Sequence, residues 1–133
     1  MIVVDTSVLI AILTAEADAS RYAEAIADAD PPLISAATVV ETGIVMLHRY
    51  GLNGARKALA LIQEAGFHVE SVTPLHAQLA QDAYASYGKG GKNAAGLNYG
   101  DCFSYALAKA TDLPLLFKGR DFSGTDIRSA LSA

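Results

Sequence analysis

The sequence has few of the features that mark secreted or membrane-embedded proteins. It contains one cysteine and no tryptophan among 133 residues. A single cysteine cannot form an internal disulfide, which favours a reducing compartment such as the cytoplasm. No apolar run approaches the ~18 residues that cross a bilayer, and the start MIVVDTSVLIAIL lacks the basic residues of a signal peptide. We therefore expect a cytoplasmic protein that makes no contact with a membrane.

Basic residues are also scarce, with 10 Lys and Arg against 14 Asp and Glu, for a formal net charge of -4. A general DNA-coating protein needs an excess of Lys and Arg to neutralise phosphates, so this balance argues against one. The balance suits a protein that gathers carboxylates around a cation. The length and the 52% hydrophobic share predict one domain with a substantial core, spanning residues 1–133.

Short apolar strands alternate with amphipathic helices along the chain. Strands are predicted at 2–4, 33–34, 67–72 and 115–117. Helices are predicted at 6–14, 16–29, 35–51, 53–65, 74–88 and 99–111. This alternation predicts an α/β fold with a short parallel sheet covered by helices on both faces.

Three helices carry apolar residues at helical spacing. Val40, Ile44 and Leu47 align on one of them, and Ala55, Leu59 and Ile62 align on the next. Leu75, Leu79 and Ala83 are predicted to form the inward stripe of a third helix. The Gly-rich segment 88–97 is predicted to be an exposed loop.

Four acidic residues have positions that fit a binding site. Asp5 follows the first strand and Asp121 follows the last, where ligands gather in parallel sheets. Glu41 and Asp101 lie in the third and sixth predicted helices and could converge on the same edge. Clustered carboxylates repel one another unless a cation lies among them. Mg²⁺ or Mn²⁺ accepts one or two carboxylates, keeps several waters and can bind phosphate oxygens, which suits phosphodiester hydrolysis.

Each of these acids also has a purely structural explanation. Asp5 could cap a helix, and Asp101 could complete a capping box with Asn98. Glu41 could lie on a solvated helix face, while Asp121 and Asp126 are ordinary residues of a polar turn. The residue pattern alone leaves both explanations open.

Three segments of the chain resemble PIN-domain ribonucleases, in particular toxins of the VapC type from bacterial toxin–antitoxin pairs. The segments are MIVVDTSVLIAIL, SAATVVETGIVML and LNYGDCFSYALAKATDLPLLFKGRDFSGTDI, in the order of that family. The resemblance implies a three-layer α/β/α sandwich around a short parallel sheet. It further implies an acidic pocket that binds Mg²⁺ or Mn²⁺ and cleaves RNA, such as tRNA or rRNA, by activating a water molecule.

The resemblance also assigns roles to individual residues. The metal-binding catalytic acids implied are Asp5, Glu41, Asp101 and Asp121, and Asp126 competes for the fourth place. Thr6, Ser7 and Asp126 are implied to support these acids from behind. Arg120 stands where many relatives have an acidic or amide residue.

The candidates for RNA binding are Lys89, Lys92, Tyr99, Lys118 and Arg120. Solvated loop charge explains the four basic residues equally well. The family further implies a homodimer and a cognate VapB-like antitoxin, for which the helices at 36–65 offer apolar surface. A catalytically silent RNA- or protein-binding PIN module, a DNA nuclease and a metal-dependent phosphatase remain as alternatives.

Overall fold

A computed structural model describes residues 1–91 and 95–131. The strands are β1 (Ile2–Val4), β2 (Pro32–Ser35), β3 (His68–Glu70) and β4 (Leu115–Leu116). The helices are α1 (Thr6–Leu13), α2 (Ala19–Asp28), α3 (Ala36–Glu64), α4 (Pro74–Tyr87) and α5 (Tyr99–Thr111). The strands form one parallel sheet in the order β3-β2-β1-β4, which confirms the predicted α/β fold.

The sheet lies between two layers of helices because successive strand residues point to opposite faces. Val3 and Leu115 pack with α4 and α5 on one face. Val4 and Leu116 pack with α1, α2 and the second half of α3 on the other face. All four side chains are 0% exposed, so strands of only two or three residues still supply both halves of the core.

The structure confirms one helix boundary that the sequence predicts and shifts another. Gly51 was predicted to separate two helices, and α3 indeed breaks there, with a φ of 72° that glycine adopts far more readily than other residues. The predicted helix at 16–29 begins only at Ala19. The preceding residues form a turn in which Ala15 has a φ of 53°, outside the helical region.

The apolar stripes are mostly not where helical spacing suggested. Leu75, predicted to face inward, is 57% exposed, and Ile44 is 58% exposed. The buried face of the first half of α3 instead carries Thr38, Thr42 and Met46. Hydroxyl groups occupy this face because it borders the cluster of acids described below. The exposed residues of the α3 stripe are Val40, Ile44 and Leu47, with Leu59 beyond the break.

The strand order brings two loops together at one end of the sheet. β1 lies between β2 and β4, so the segments that leave β1 and β4 emerge side by side. Strand order reverses here, since the chain first adds β2 and β3 on one side of β1 and then β4 on the other. No helix in the described ranges is long and apolar enough to span a membrane.

The different burial of Leu59 and Ile62 gives a direct test of this packing. Ile62 is 4% exposed and Leu59 is 51% exposed, although the sequence aligned them on one stripe. We expect Ile62→Ala to lower the free energy of unfolding by about 2–5 kcal/mol because it leaves a cavity in the core. Leu59→Ala should change it by less than about 0.5 kcal/mol. Urea unfolding of both variants measures the difference, and equal losses would contradict the burial described here.

Candidate active site

The four predicted acids meet at the carboxyl end of the sheet. Asp5 follows β1 and caps α1, Glu41 lies in the second turn of α3, Asp101 is in the first turn of α5, and Asp121 follows β4. Asp5 is 3% exposed and Asp101 is 7% exposed, whereas Asp121 is exposed. The cluster therefore runs from the interior to the surface.

Hydroxyl groups hold both oxygens of the Asp5 carboxylate. Ser104 Oγ donates to Asp5 Oδ1 at 2.6 Å. Ser7 donates to Oδ2 through its hydroxyl at 2.8 Å and its backbone N–H at 3.1 Å. Since the Ser104 proton is used on Asp5, Thr38 is the donor in the 3.3 Å contact between the Thr38 and Ser104 hydroxyls. These neutral donors fix the carboxylate without cancelling its charge.

Glu41 is fixed from two sides. Thr6 Oγ1 donates to Glu41 Oε1 at 2.6 Å. Thr6 Oγ1 in turn accepts a hydrogen bond from Thr42 Oγ1 at 3.1 Å. On the other side the Glu41 carboxylate lies directly against the backbone of Gly100, where a Cβ atom would overlap it. Burial raises the pKa of Glu41, and the charge of Asp5 raises it further against the opposing effect of the Thr6 hydrogen bond.

Asp101 belongs to a capping box and to the acidic cluster at the same time. Its Oδ2 accepts the Asn98 N–H at 2.9 Å, and its own N–H bonds to Asn98 Oδ1 at 2.9 Å. Burial raises the pKa of Asp101 to about 8, and the nearby carboxyl groups of Asp5 and Asp121 add to this rise. The structural and functional explanations of Asp101 are therefore compatible.

The structure brings Asp121, and not Asp126, to the cluster. Asp121 lies close enough to Asp101 for its carboxyl group to raise the pKa of Asp101. Asp126 instead accepts the Tyr105 hydroxyl at 2.6 Å and forms an ion pair with Lys109. Of the three expected supporting residues, Thr6 and Ser7 contact the acids, whereas Asp126 contacts residues one and two turns further along α5.

The candidate RNA-binding residues differ in how available their side chains are. Lys89, Tyr99 and Arg120 are exposed, and the Tyr99 ring meets Phe103 edge-on at 5.0 Å. Lys118 is not a free loop charge, because its ammonium contacts two carboxylates. Lys92 lies outside the described residues.

Sequence reasoning missed four residues that shape the site: Thr38, Thr42, Gly100 and Ser104. Thr38 and Thr42 are spaced i, i+4 on one helix face, and Ser104 follows Asp101 by three residues, so each faces the same side as an acid. Polar residues at the inward-facing positions of a helix indicate that this face borders a polar site, and this pattern could have identified the three hydroxyl residues. Nothing in the sequence shows that the Gly100 backbone meets a glutamate 59 positions earlier.

The chemistry of this cluster fits a hydrated divalent cation. All the candidate ligand atoms are carboxylate oxygens, which hard cations prefer. In the parts of the chain that the structure describes, no ion pair involves Asp5, Glu41 or Asp101. Within residues 1–91 and 95–131, no three acidic, His or Cys side chains lie, as they stand, where together they could hold a metal ion. Mg²⁺ does not require three such ligands, since it usually binds one or two carboxylates and keeps several waters.

Comparison with known proteins shows the family to which this chain belongs. The family profile of the PIN domain matches residues 2–127. Ribonuclease VapC28 of Mycobacterium tuberculosis is 50% identical over 129 residues, which cover 97% of each chain. The chain therefore belongs to the PIN-domain family, within its VapC ribonuclease branch.

Two solved structures share the fold. The structure of Mycobacterium tuberculosis VapC20, described as a sarcin–ricin-loop-cleaving toxin, matches with a TM-score of 0.75 at 23% identity, covering 96% of each chain. A toxin–antitoxin complex from Klebsiella pneumoniae matches with a TM-score of 0.69 at 20% identity, covering 95% of this chain and 93% of the other. Both likenesses support the three-layer α/β/α architecture.

The raised pKa of Asp101 predicts a pH dependence of stability. The unfolded chain releases this proton near pH 3.8 and the folded protein keeps it until about pH 8, so stability falls as the pH rises between these values. Asp101→Asn cannot ionise and should escape this loss. In EDTA, we expect the variant to be more stable relative to the wild type at pH 8 than at pH 5, as measured by urea unfolding.

Asp126→Asn is the matched control. Although burial opposes it, the hydrogen bonds from Lys109 and Tyr105 lower the pKa of Asp126 below 3.8. This stabilisation is present above pH 3.8 and disappears only as the pH falls through the lowered value. The variant should therefore be less stable than the wild type by the same amount at pH 5 and pH 8. A pH-independent difference for Asp101→Asn would contradict the assignment.

Proposed function

We propose that this protein is a Mg²⁺- or Mn²⁺-dependent endoribonuclease that acts as the toxin of a toxin–antitoxin pair. The observation that carries the proposal is the convergence of Asp5, Glu41, Asp101 and Asp121 from four separate segments onto one edge of the sheet. Burying uncompensated carboxylates together is unfavourable, and it is expected where a cation binds. The ribonuclease names of relatives that are 50% identical over nearly the whole chain support the same conclusion.

The four acids are the residues that would hold the cation. A bound divalent cation would polarise the phosphodiester and make a water molecule acidic enough to act as a nucleophile near neutral pH. Asp5 is the central ligand in this proposal because it is the most buried and its charge acts on both Glu41 and Asp101. Asp121, on the exposed side, completes the set next to the incoming substrate.

The chain's own residues would orient the acids before RNA arrives. Ser7 and Ser104 prevent rotation of the Asp5 carboxylate, since each holds one of its oxygens. Thr6 and the Gly100 backbone confine Glu41 between them. A preorganised site avoids reorganisation during the reaction, which is the main source of electrostatic catalysis.

Residues around the pocket suit an unpaired stretch of RNA. Tyr99 is 77% exposed and lies next to Gly100, so its ring is available to stack on a base. Lys89 and Arg120, both exposed, are proposed to bind phosphates, as is Lys92 on the basis of the sequence. Which RNA is cut depends on shape and loop contacts; tRNA and rRNA are the proposed classes.

The proposed partners are a VapB-like antitoxin and a second copy of this chain. The surface for either is the exposed apolar stripe of α3, formed by Val40, Ile44 and Leu47. We further propose that residues 1–133 constitute one PIN domain. An RNA substrate and a single free cysteine are compatible with a cytoplasmic location.

Replacing Asp5 tests the proposal most directly. The amide of Asp5→Asn can still bond to Ser7 and to Ser104, whose hydroxyl can reverse its role, so the fold should persist. We expect Mg²⁺- or Mn²⁺-dependent RNA cleavage to fall by at least about 100-fold because the central charged ligand is lost. Sequencing the 5′ ends of RNAs cut during controlled expression, with this variant as the reference, measures the loss and locates the sites.

Two further variants and a substrate panel complete this test. Asp121→Asn should lower cleavage about tenfold, whereas Asp126→Asn should not, because Asp126 is held by Lys109 and Tyr105. Purified protein is offered tRNA, rRNA fragments, DNA and a small phosphomonoester. Cleavage that persists in Asp5→Asn, or that needs no divalent cation, would refute the metal-dependent mechanism. Preference for DNA would indicate a DNA nuclease, and preference for the monoester would indicate a phosphatase. No cleavage of any substrate would indicate a binding module.

Gly100 and Gly43 form a matched pair that tests the position of Glu41. Both are helical glycines, and a Cβ at Gly43 would meet nothing within 4 Å. We expect Gly43→Ala to retain RNA cleavage. Gly100→Ala should stay folded, because the atoms that the new Cβ meets are the far end of the long Glu41 side chain, which can rotate away. The displaced Glu41 carboxylate should lower cleavage by about tenfold or more. Equal activity of the two variants would show that the close approach of Glu41 to Gly100 is unimportant.

A further inference from the structure

Lys118 is a basic residue near the acidic cluster that is bonded through both its side chain and its backbone. Its ammonium lies 2.6 Å from Glu16 Oε1 and 3.0 Å from Asp18 Oδ1. Its backbone N–H donates to Ser7 Oγ at 2.9 Å. One residue thus joins the segment after β4 to the turn between α1 and α2 through its side chain, and to the start of α1 through its backbone.

The turn that receives the Lys118 ammonium is itself well held. Glu16 follows α1, and its Oε2 lies 3.3 Å from the Thr14 hydroxyl, which donates to Ile10 O at 2.7 Å. Asp18 lies near Tyr22, which is 6% exposed in the core and helps to lower the pKa of Asp18. Two carboxylates on a supported turn make a better anchor than an isolated surface ion pair, which usually contributes little.

The other end of this connection reaches the proposed catalytic acids. Ser7 Oγ accepts from the Lys118 N–H and donates to Asp5 Oδ2, so the backbone of Lys118 is one hydrogen bond away from Asp5. Three residues further along, after a turn in which Gly119 has a φ of 97°, Asp121 lies beside Asp101. The loop that carries Asp121 is therefore fixed at its first residue by Lys118.

These contacts argue against a direct role of Lys118 in binding RNA. Its charge is already matched by two carboxylates, and contact with a phosphate would require breaking two ion pairs. Lys89 and Arg120 are exposed and have no ion pair among the described residues, so they can bind phosphate without that loss.

We propose that Lys118 is a positioning residue, which clamps the loop bearing Asp121 to Glu16 and Asp18 and so completes the cation site. This inference rests on the proposed metal-dependent ribonuclease. It assigns a function to Glu16 and Asp18, two acids that lie outside the catalytic cluster. It also replaces the expectation that Lys118 holds the RNA backbone.

The test compares Lys118→Met with Lys118→Arg and with the double variant Glu16→Gln/Asp18→Asn. We expect Lys118→Met and the double variant each to weaken Mn²⁺ binding by about tenfold, measured by titration with electron paramagnetic resonance. Combining all three substitutions should weaken it no further, since they break one unit. Lys118→Arg should keep most of the affinity. Amide hydrogen exchange at 118–121 should accelerate in the variants that lose affinity.

Lys109→Met is the control, because it removes the exposed ion pair with Asp126 on another part of the surface. It should leave Mn²⁺ affinity unchanged. RNA binding is measured in EDTA at several salt concentrations, where loss of a phosphate contact lowers the salt slope by about one. We expect no change of slope for Lys118→Met.

The outcomes separate this inference from the proposed function. A reduced salt slope with unchanged Mn²⁺ affinity would make Lys118 an RNA contact and overturn the clamp. Wild-type affinity in both Lys118→Met and the double variant would also overturn it. If the wild type itself binds no Mn²⁺ and cuts no RNA, the proposed function fails first.

Discussion

Repulsion among carboxylates is the constraint on which the arrangement of this protein depends. Parallel strands direct their carboxyl ends to one edge, and the chain places there acids from α3, from α5 and from the segments that follow β1 and β4. Two of the acids are almost fully buried, and burial, together with the nearby carboxyl groups of Asp5 and Asp121, raises the pKa of Asp101 to about 8. A fold that keeps such a cluster must therefore stabilise the carboxylates with contacts that do not depend on a bound cation. Binding of a cation would then relieve the remaining repulsion.

Neutral hydrogen-bond donors and contact with the backbone hold the carboxylates in place. Ser7, Ser104 and Thr6 bond to the carboxylates, and Thr38 and Thr42 support them from α3. Among the described residues, no buried side-chain nitrogen or oxygen lacks a hydrogen-bond partner. Positively charged partners would have neutralised the pocket, whereas hydroxyls keep its charge available for a cation.

The same requirement explains why the apolar residues of α3 face outward. One helix side has to supply hydroxyls to the acids, so Thr38 and Thr42 take the inward positions. Val40 and Ile44 are left on the surface, where they are 59% and 58% exposed. The site thereby shapes the outer surface of the protein, and it leaves an apolar stripe available for a macromolecular partner.

The sequence by itself determined the alternation of strands and helices, the break at Gly51, the capping box at Asn98 and the identity of the candidate acids. These depend on residues near one another in the chain, through spacing, φ preference and local hydrogen bonds. Only the tertiary structure decided which acid joins the cluster after β4, that Ser104 bonds to Asp5, and that Lys118 pairs with Glu16 and Asp18. The physical reason is that these contacts join distant parts of the chain, about 100 positions apart for Ser104 and Lys118, and periodicity carries no information about which distant surfaces meet.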